Sequence, residues 1–456
     1  MDSDYVIVSS DDCHEVLRKN DFGCGCSRPD SSGHRPAYLS EIESLIDNNA
    51  RPLWALNAFI HDTPELAYRE HRAHHALTDF IRRRDEPWHV TPSAFGMPTA
   101  WIAVYDSQKP GPVVSFNVEY DALPTLGHAC GHNLIATASL SAALATAHIL
   151  TLHPHLGGKV LLFGTPGEEG FRGGKLRFLQ QSAYRQHGVD ISLISHPSIA
   201  NNSARVRTSA FAKVKVEYFG KAARVGRNEW EGVNALDALV TGYTAVAALR
   251  GGLQPGETIG VGIVNGGGEA ANVVHEYASM VCMVHARTAR RLEVVRERVE
   301  GCLRAGGLAT GARVVVEVTR GYKDHVPNGV LARSYERCWR ELKGPAPDPQ
   351  IPSGCCGTEP GVMYVASSTD QGDVSYAMPS LNASFAIPPG PEGKGPHTAD
   401  FEKAAGTKEA FERALRVGKA LAGVAVDVLT TEGLLEEVKR EWRRDMDEIN
   451  KGGVDV

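Results

Sequence analysis

Apolar positions fall into three regimes along the chain. Over residues 39–63 and 69–84 they recur every three or four residues, the spacing of helices with one apolar face. From residue 113 the pattern changes to short unbroken apolar runs, at 113–118, 160–164 and 191–195, separated by helical stretches at 134–150 and 174–186. Asn133 stands where it would cap the first of these helices. Near-continuous apolar strands alternating with helices predict a largely parallel sheet covered on both faces. After residue 207, strands at 212–219, 258–264, 277–286 and 313–319 interleave with amphipathic helices at 234–250 and 289–305. That β-α-β-β-α-β order predicts a two-layer, ferredoxin-like α+β module. A Gly/Ser/Pro-rich stretch at 353–380 then leads to another apolar strand at 383–387, so the module reads as an insertion. The expected organisation is a loosely ordered tail over 1–37, a discontinuous α/β domain over 38–207 and 323–456, and the inserted module over 208–322. Helices at 403–431 and 436–447 close the pattern, the latter heavily charged.

Composition narrows the function classes. The 456 residues are 42% apolar and 22% charged, ordinary values for a water-soluble globular chain. A formal charge of −6 is small for this size and argues against nucleic acid or an anionic membrane as the main partner. No uninterrupted apolar run reaches the ~18 residues of a membrane span, and Met1-Asp2-Ser3-Asp4-Tyr5 has no secretory character. A cytoplasmic protein is expected. Nine irregularly spaced cysteines describe reduced thiols better than a disulfide framework. Cys24-Gly25-Cys26 in the tail could suggest metal capture or a redox pair, but C-x-C alone is a weak signal, and inert thiols in a loosely ordered tail are expected.

The candidate chemistry stands at the strand ends. The first strand leads into Glu119-Tyr120-Asp121 and then Gly127-His128-Ala129-Cys130-Gly131-His132-Asn133. The second ends in Gly164-Thr165-Pro166-Gly167-Glu168-Glu169-Gly170, the third in His196, and His397 follows the late strand. Carboxyl ends of neighbouring strands converge on the ligand crevice of open α/β sheets, so these residues can meet. Singly, each has a bland reading: a buried inert thiol, ordinary imidazoles, a solvated acidic pair. Together Cys130, His132, Glu169, His196 and His397 make a donor set suited to Zn²⁺, or to Mn²⁺ if oxygen ligands dominate. Adjacent glutamates also allow one to bind metal while the other moves a proton, which suits hydrolysis of an amide.

These motifs, with Asp121-Ala122-Leu123-Pro124, resemble the aminoacylase/carboxypeptidase superfamily of metallohydrolases. The similarity is to its branch of auxin-conjugate hydrolases, aminobenzoyl-glutamate hydrolases and β-alanyl-dipeptidase-like proteins, and covers roughly residues 40–430. The last group is the nearest, through Glu119–Pro124 and the stretch 230–238, Trp230-Glu231-Gly232-Val233-Asn234-Ala235-Leu236-Asp237-Ala238. The resemblance implies two divalent ions, with Cys130 bridging, His132 and His196 on one ion and Glu169 and His397 on the other. It further implies Glu168 as general base and acid, Asp121 orienting a ligand, and Asn272 and Arg287 near the substrate carboxylate. The inserted module would be a lid through which two chains dimerise.

One position departs from the family pattern. Where the lid normally carries a histidine that stabilises the oxyanion in a neighbouring active site, this chain has Arg224 after Gly220-Lys221-Ala222-Ala223. An arginine donates hydrogen bonds but is longer and always cationic. The leading expectation is therefore an amidohydrolase acting on a dipeptide or N-acyl amino acid. Alternatives are an enzyme forming or transferring an amide bond with the same site, and a metal-retaining binding protein without turnover.

Overall fold

A computed structural model of the protein describes residues 35–170, 173–344 and 361–451. Cys24 and Cys26 lie outside them. The larger sheet has six strands in the spatial order His89–Pro92, Trp101–Asp106, Lys159–Gly164, Val113–Val118, Ile191–Ser198, Ser380–Ala386. The last four are parallel, and the first two form an antiparallel edge. Side chains alternate between two apolar layers. On the strand Lys159–Gly164, Val160 and Leu162 enter the main core, whereas Leu161 and Phe163 pack with Phe178 and Tyr184 on the opposite face. The antiparallel edge is not among the sequence-predicted elements, although Trp101 to Tyr105 form an unbroken apolar run.

The central helix, His132–Leu152, is buried along nearly its whole length against the helix Lys408–Thr430. It is long and apolar enough to cross a membrane, with a mean hydropathy of 1.6, but 89% of that window is buried inside the protein. Asn133 does not cap it. Gly131 precedes the helix with φ 76°, and Asn133 sits within the first turn, where its Nδ2 donates to Asn57 Oδ1 (3.1 Å) and to the Ala405 carbonyl (2.9 Å). The expected helix over 39–63 is two, Leu39–Asn48 and Ala50–Asp62. That over 174–186 is also two, Gly174–Gln180 and Ala183–Gln186, parted at Ser182 with φ 59°. The one over 403–431 divides into Ala399–Ala405 and Lys408–Thr430, because the Thr407 hydroxyl caps a new helix by accepting from Ala410 N.

The second sheet is antiparallel, in the order Arg313–Arg320, Ala210–Phe219, Tyr277–Ala286, Thr258–Asn265. Helices Ala235–Leu249 and Ala289–Thr310 cover one face and close a separate apolar core around Val214, Val216, Met280 and Val299. The two crossings between this lid and the larger domain run side by side, where Phe211 N donates to the Tyr322 carbonyl (3.0 Å). The chain is thus a mixed, largely parallel α/β domain carrying an inserted two-layer lid.

Candidate metal centre

Cys130 stands on the turn between the strand Val113–Val118 and the central helix, and His132 is the first residue of that helix. That turn needs glycine at position 131: besides its positive φ, a Cβ there would meet Pro197 Cγ at 2.5 Å. Glu168 and Glu169 follow the strand Lys159–Gly164, and His196 lies near the end of Ile191–Ser198. His397 arrives from the loop after Ser380–Ala386 in a left-handed conformation, φ 67°, held by its N–H to the Ala129 carbonyl (2.8 Å). A non-glycine residue kept in that region is strained, and such strain concentrates at functional sites.

Three overlapping triads result: Cys130 with His132 and His196; Cys130 with Glu169 and His397; and His132 with Glu168 and Glu169. Within each, donor atoms lie within 4.8 Å of one another. Cys130 Sγ is 3.3 Å from His196 Nε2, and His397 Nε2 is 3.4 Å from Glu169 Oε1. His196 Nδ1 faces the Pro197 carbonyl at 2.8 Å and His132 Nδ1 faces Asp121 Oδ1 at 3.1 Å, which leaves both Nε2 atoms turned inward. The second oxygen of Asp121 accepts from Glu169 N (2.9 Å), so one carboxylate fixes two neighbours. His132 Nε2 and Glu169 Oε1 are buried and make no well-formed hydrogen bond. Buried polar atoms without partners are costly. A cation among soft thiolate, imidazole and carboxylate donors satisfies them, so the residues present fit a transition-metal ion.

The adjacent glutamates are driven apart electrostatically. Burial, then the charges of Glu119, Glu169 and Asp370, push Glu168 well above the usual carboxyl range. Burial would raise Glu169 too, but the facing His397 and His132 outweigh it and hold it low. Neighbouring carboxyls with opposite shifts divide into a proton carrier and an anionic donor. Burial likewise raises the Cys130 thiol, whose thiolate needs a nearby cation.

Several residues here are not among the sequence-predicted site residues. Tyr322, just past the lid, donates its hydroxyl proton to the Glu168 carbonyl (2.7 Å) and accepts from Gly173 N (3.1 Å). Lys175, fully buried, is paired with both Glu119 and Asp370. A lone lysine beside Gly173-Gly174 is the only sequence signal of it. Among the described residues, no recorded hydrogen bond or ion pair joins Arg224, Asn272 or Arg287 to this cluster. Arg224 and Asn272 are exposed on the short paired strands of the lid and their flank. Arg287 lies over the Tyr364 ring and lines a cavity of about 310 Å³ with Thr208, Ser209 and His285 where lid and larger domain meet.

An α/β sheet with thiol, imidazole and carboxylate donors at its strand ends, interrupted by an α+β lid, defines the class of two-domain metal-dependent hydrolases. Comparison with known proteins gives the family. Residues 115–414 match Peptidase family M20/M25/M40. The Xaa-Arg dipeptidase of Mus musculus is 37% identical over 410 residues, covering 87% of this chain and 90% of that protein. One chain of the p-aminobenzoyl-glutamate hydrolase of Escherichia coli K12 is 25% identical over 448 residues, covering 84% of this chain and 90% of that one. Among solved structures, a dinuclear metal binding peptidase from the M20 family of Bacillus subtilis superposes with a TM-score of 0.60 at 14% identity, covering 84% of this chain and 99% of that one. The chain belongs to the M20/M25/M40 peptidase family and is a metallopeptidase-type hydrolase.

Proposed function

We propose that the protein is a metal-dependent amidohydrolase that cleaves the amide bond of a dipeptide or N-acyl amino acid. The observation that carries this reading is the juxtaposition of five metal donors with a buried carboxyl, Glu168, whose proton affinity is raised. Similarity to a dipeptidase and to an aminobenzoyl-glutamate hydrolase supports the substrate class. Two divalent ions, zinc or manganese, suit the donors. Cys130, common to two of the triads, would be held by both ions, with His132 and His196 serving one and Glu169 and His397 the other.

When bound, the ions would supply Lewis acidity to the attacking water and the scissile carbonyl. Glu168 takes a proton from that water and returns it to the leaving amine. Asp121 keeps His132 in the tautomer that presents Nε2, and Tyr322 fixes the Glu168 backbone. Asn272 and Arg287 hold the substrate carboxylate, a role that the cavity beside Arg287 suits. Two chains pair through their lids, and Arg224 of each reaches the site of the other as an oxyanion donor. Its exposure on the lid supports that reading, and sedimentation of the intact chain measures the pairing. Arginine in place of the lid histidine also favours a second reading, formation of an amide from free acid and amine.

The test is a panel of dipeptides and N-acyl amino acids with zinc- or manganese-loaded protein, run beside the corresponding free acids and amines. Amine release is expected, and Glu168→Gln should lower it by about 10²–10⁴-fold at unchanged metal content. Absence of hydrolysis across the panel would overturn the assignment, and condensation without hydrolysis would establish the second reading.

A further inference from the structure

One buried charge network beside the site contains residues to which the proposed mechanism gives no part. Glu119, at the end of the strand Val113–Val118, is 1% exposed, and Lys175 is fully buried. Lys175 Nζ pairs with Glu119 Oε1 and with Asp370 Oδ1, while Lys175 N donates to Asp370 Oδ2 (2.9 Å). One buried cation thus faces two buried carboxylates, and a dry pocket penalises the surplus negative charge.

The other oxygen of Glu119 shows where that surplus points. Glu119 Oε2 lies 3.6 Å from His132 Nε2, too far for a hydrogen bond. That nitrogen belongs to a residue only 1% exposed and has no hydrogen-bond partner. Its ring cannot turn away, because Asp121 holds Nδ1. Two donors bound at about 2.0–2.2 Å to one tetrahedral ion lie about 3.4 Å apart. The gap between Glu119 Oε2 and His132 Nε2 therefore has the width that a shared cation would span.

Resting on the metal-centre reading, we propose that Glu119 is a further metal ligand, presented by Lys175 to the ion of His132 and His196. Lys175 binds one carboxylate oxygen and so aims the other at the ion. Asp370, from the segment that follows the lid, anchors Lys175 in turn. The network thereby couples the first strand of the site to a part of the chain beyond the insertion.

The experiment titrates zinc into chelator-stripped protein against a chromophoric competitor, and records the cobalt-substituted visible spectrum, for the wild type, Glu119→Gln and Glu119→Asp. Melting of the stripped proteins monitors the fold. Wild type should take up two ions. Glu119→Gln should weaken one of them by about 10–100-fold and alter the cobalt d–d bands, with the Cys130-to-cobalt charge-transfer band retained. Glu119→Asp keeps the charge facing Lys175 but withdraws the oxygen by one methylene. It should share the loss of zinc affinity while melting like the wild type without metal. Wild-type zinc affinity in either variant would sink the proposal and reduce Glu119 to an anchor for Lys175. A wild type that binds no zinc at all would overturn the metal-centre reading with it.

Discussion

Glu70 shows how far the site reaches at the scale of single residues. Its Oε1 accepts from Tyr68 N (2.9 Å) and Gly167 N (3.0 Å), and its Oε2 from Thr99 Oγ1 (2.7 Å). It therefore pins the turn that presents Glu168 and Glu169. Burial, followed by the Asp121 charge, raises its carboxyl to about 7. The fold favours the neutral form, so this contribution is full below the unfolded value near 4.5 and is lost as pH rises through 7. A shift of that size corresponds to on the order of 3 kcal/mol. Glu70→Gln, neutral at every pH, should melt with a shallower decline between pH 5 and 8 than the wild type; equal slopes would remove Glu70 as the cause. Glu70 was not legible as a site residue, because a glutamate opening a helix reads as helix-dipole decoration. Glu168 and Glu169 were legible because they sit within a few residues of a strand end amid glycines, where neither a solvated face nor a packed core is expected, and Cys130 and His132 because a thiol and an imidazole two residues apart close a strand-to-helix connection.

Elements were legible where periodicity or length marks them and blurred where tertiary contacts decide. The strand Val113–Val118 and the lid strand Tyr277–Ala286 match the predicted limits, since each is a continuous or alternating apolar run between polar breaks. Asn133 illustrates the opposite case: a good capping residue is diverted by buried partners, Asn57 and the Ala405 carbonyl, that only the folded chain supplies. The central helix also depends on close approach. At Gly418, on the helix Lys408–Thr430, an added Cβ would meet Ser141 Oγ at 2.1 Å and the Ala138 carbonyl at 3.0 Å. Gly418→Val should therefore destabilise the protein by about 1–3 kcal/mol or more, read as a lower denaturation midpoint in urea. An unchanged midpoint would mean that the two helices slide apart without cost.

For the whole molecule, the candidate donors span positions 130 to 397, and residue type alone does not tell His196, at the centre, from His325. The latter is fully buried, bonded to the Val206 carbonyl (2.8 Å), and lowered to about 4 chiefly by burial. Only the strand order separates a candidate ligand from a core histidine. Because the centre ties distant segments together, metal removal should cost global stability. Metal at a thousand times its Kd adds about 4 kcal/mol to the folded state, so chelation should lower Tm and added zinc or manganese restore it. A Tm indifferent to chelator would mean that the donors are held without an ion. Arg224 belongs to this scale too, since its proposed site is on another chain. Arg224→His should raise hydrolysis by about 10²–10³-fold if the lid lacks only its usual oxyanion donor. A fall instead would show that the arginine itself serves the reaction.

The insertion also sets an order of events during synthesis. The strand Ile191–Ser198 pairs on one side with Val113–Val118, but among the described residues its other edge pairs only with Ser380–Ala386, which leaves the ribosome after the whole lid. Throughout that interval the nascent domain carries an open apolar strand edge, the kind of edge that recruits other chains. The lid has its own core and complete sheet and can fold during the wait. Slow translation of the segment between Arg320 and Ser380 would thus prolong exposure of the aggregation-prone edge, whereas brisk translation would seal it and deliver His397 to the centre.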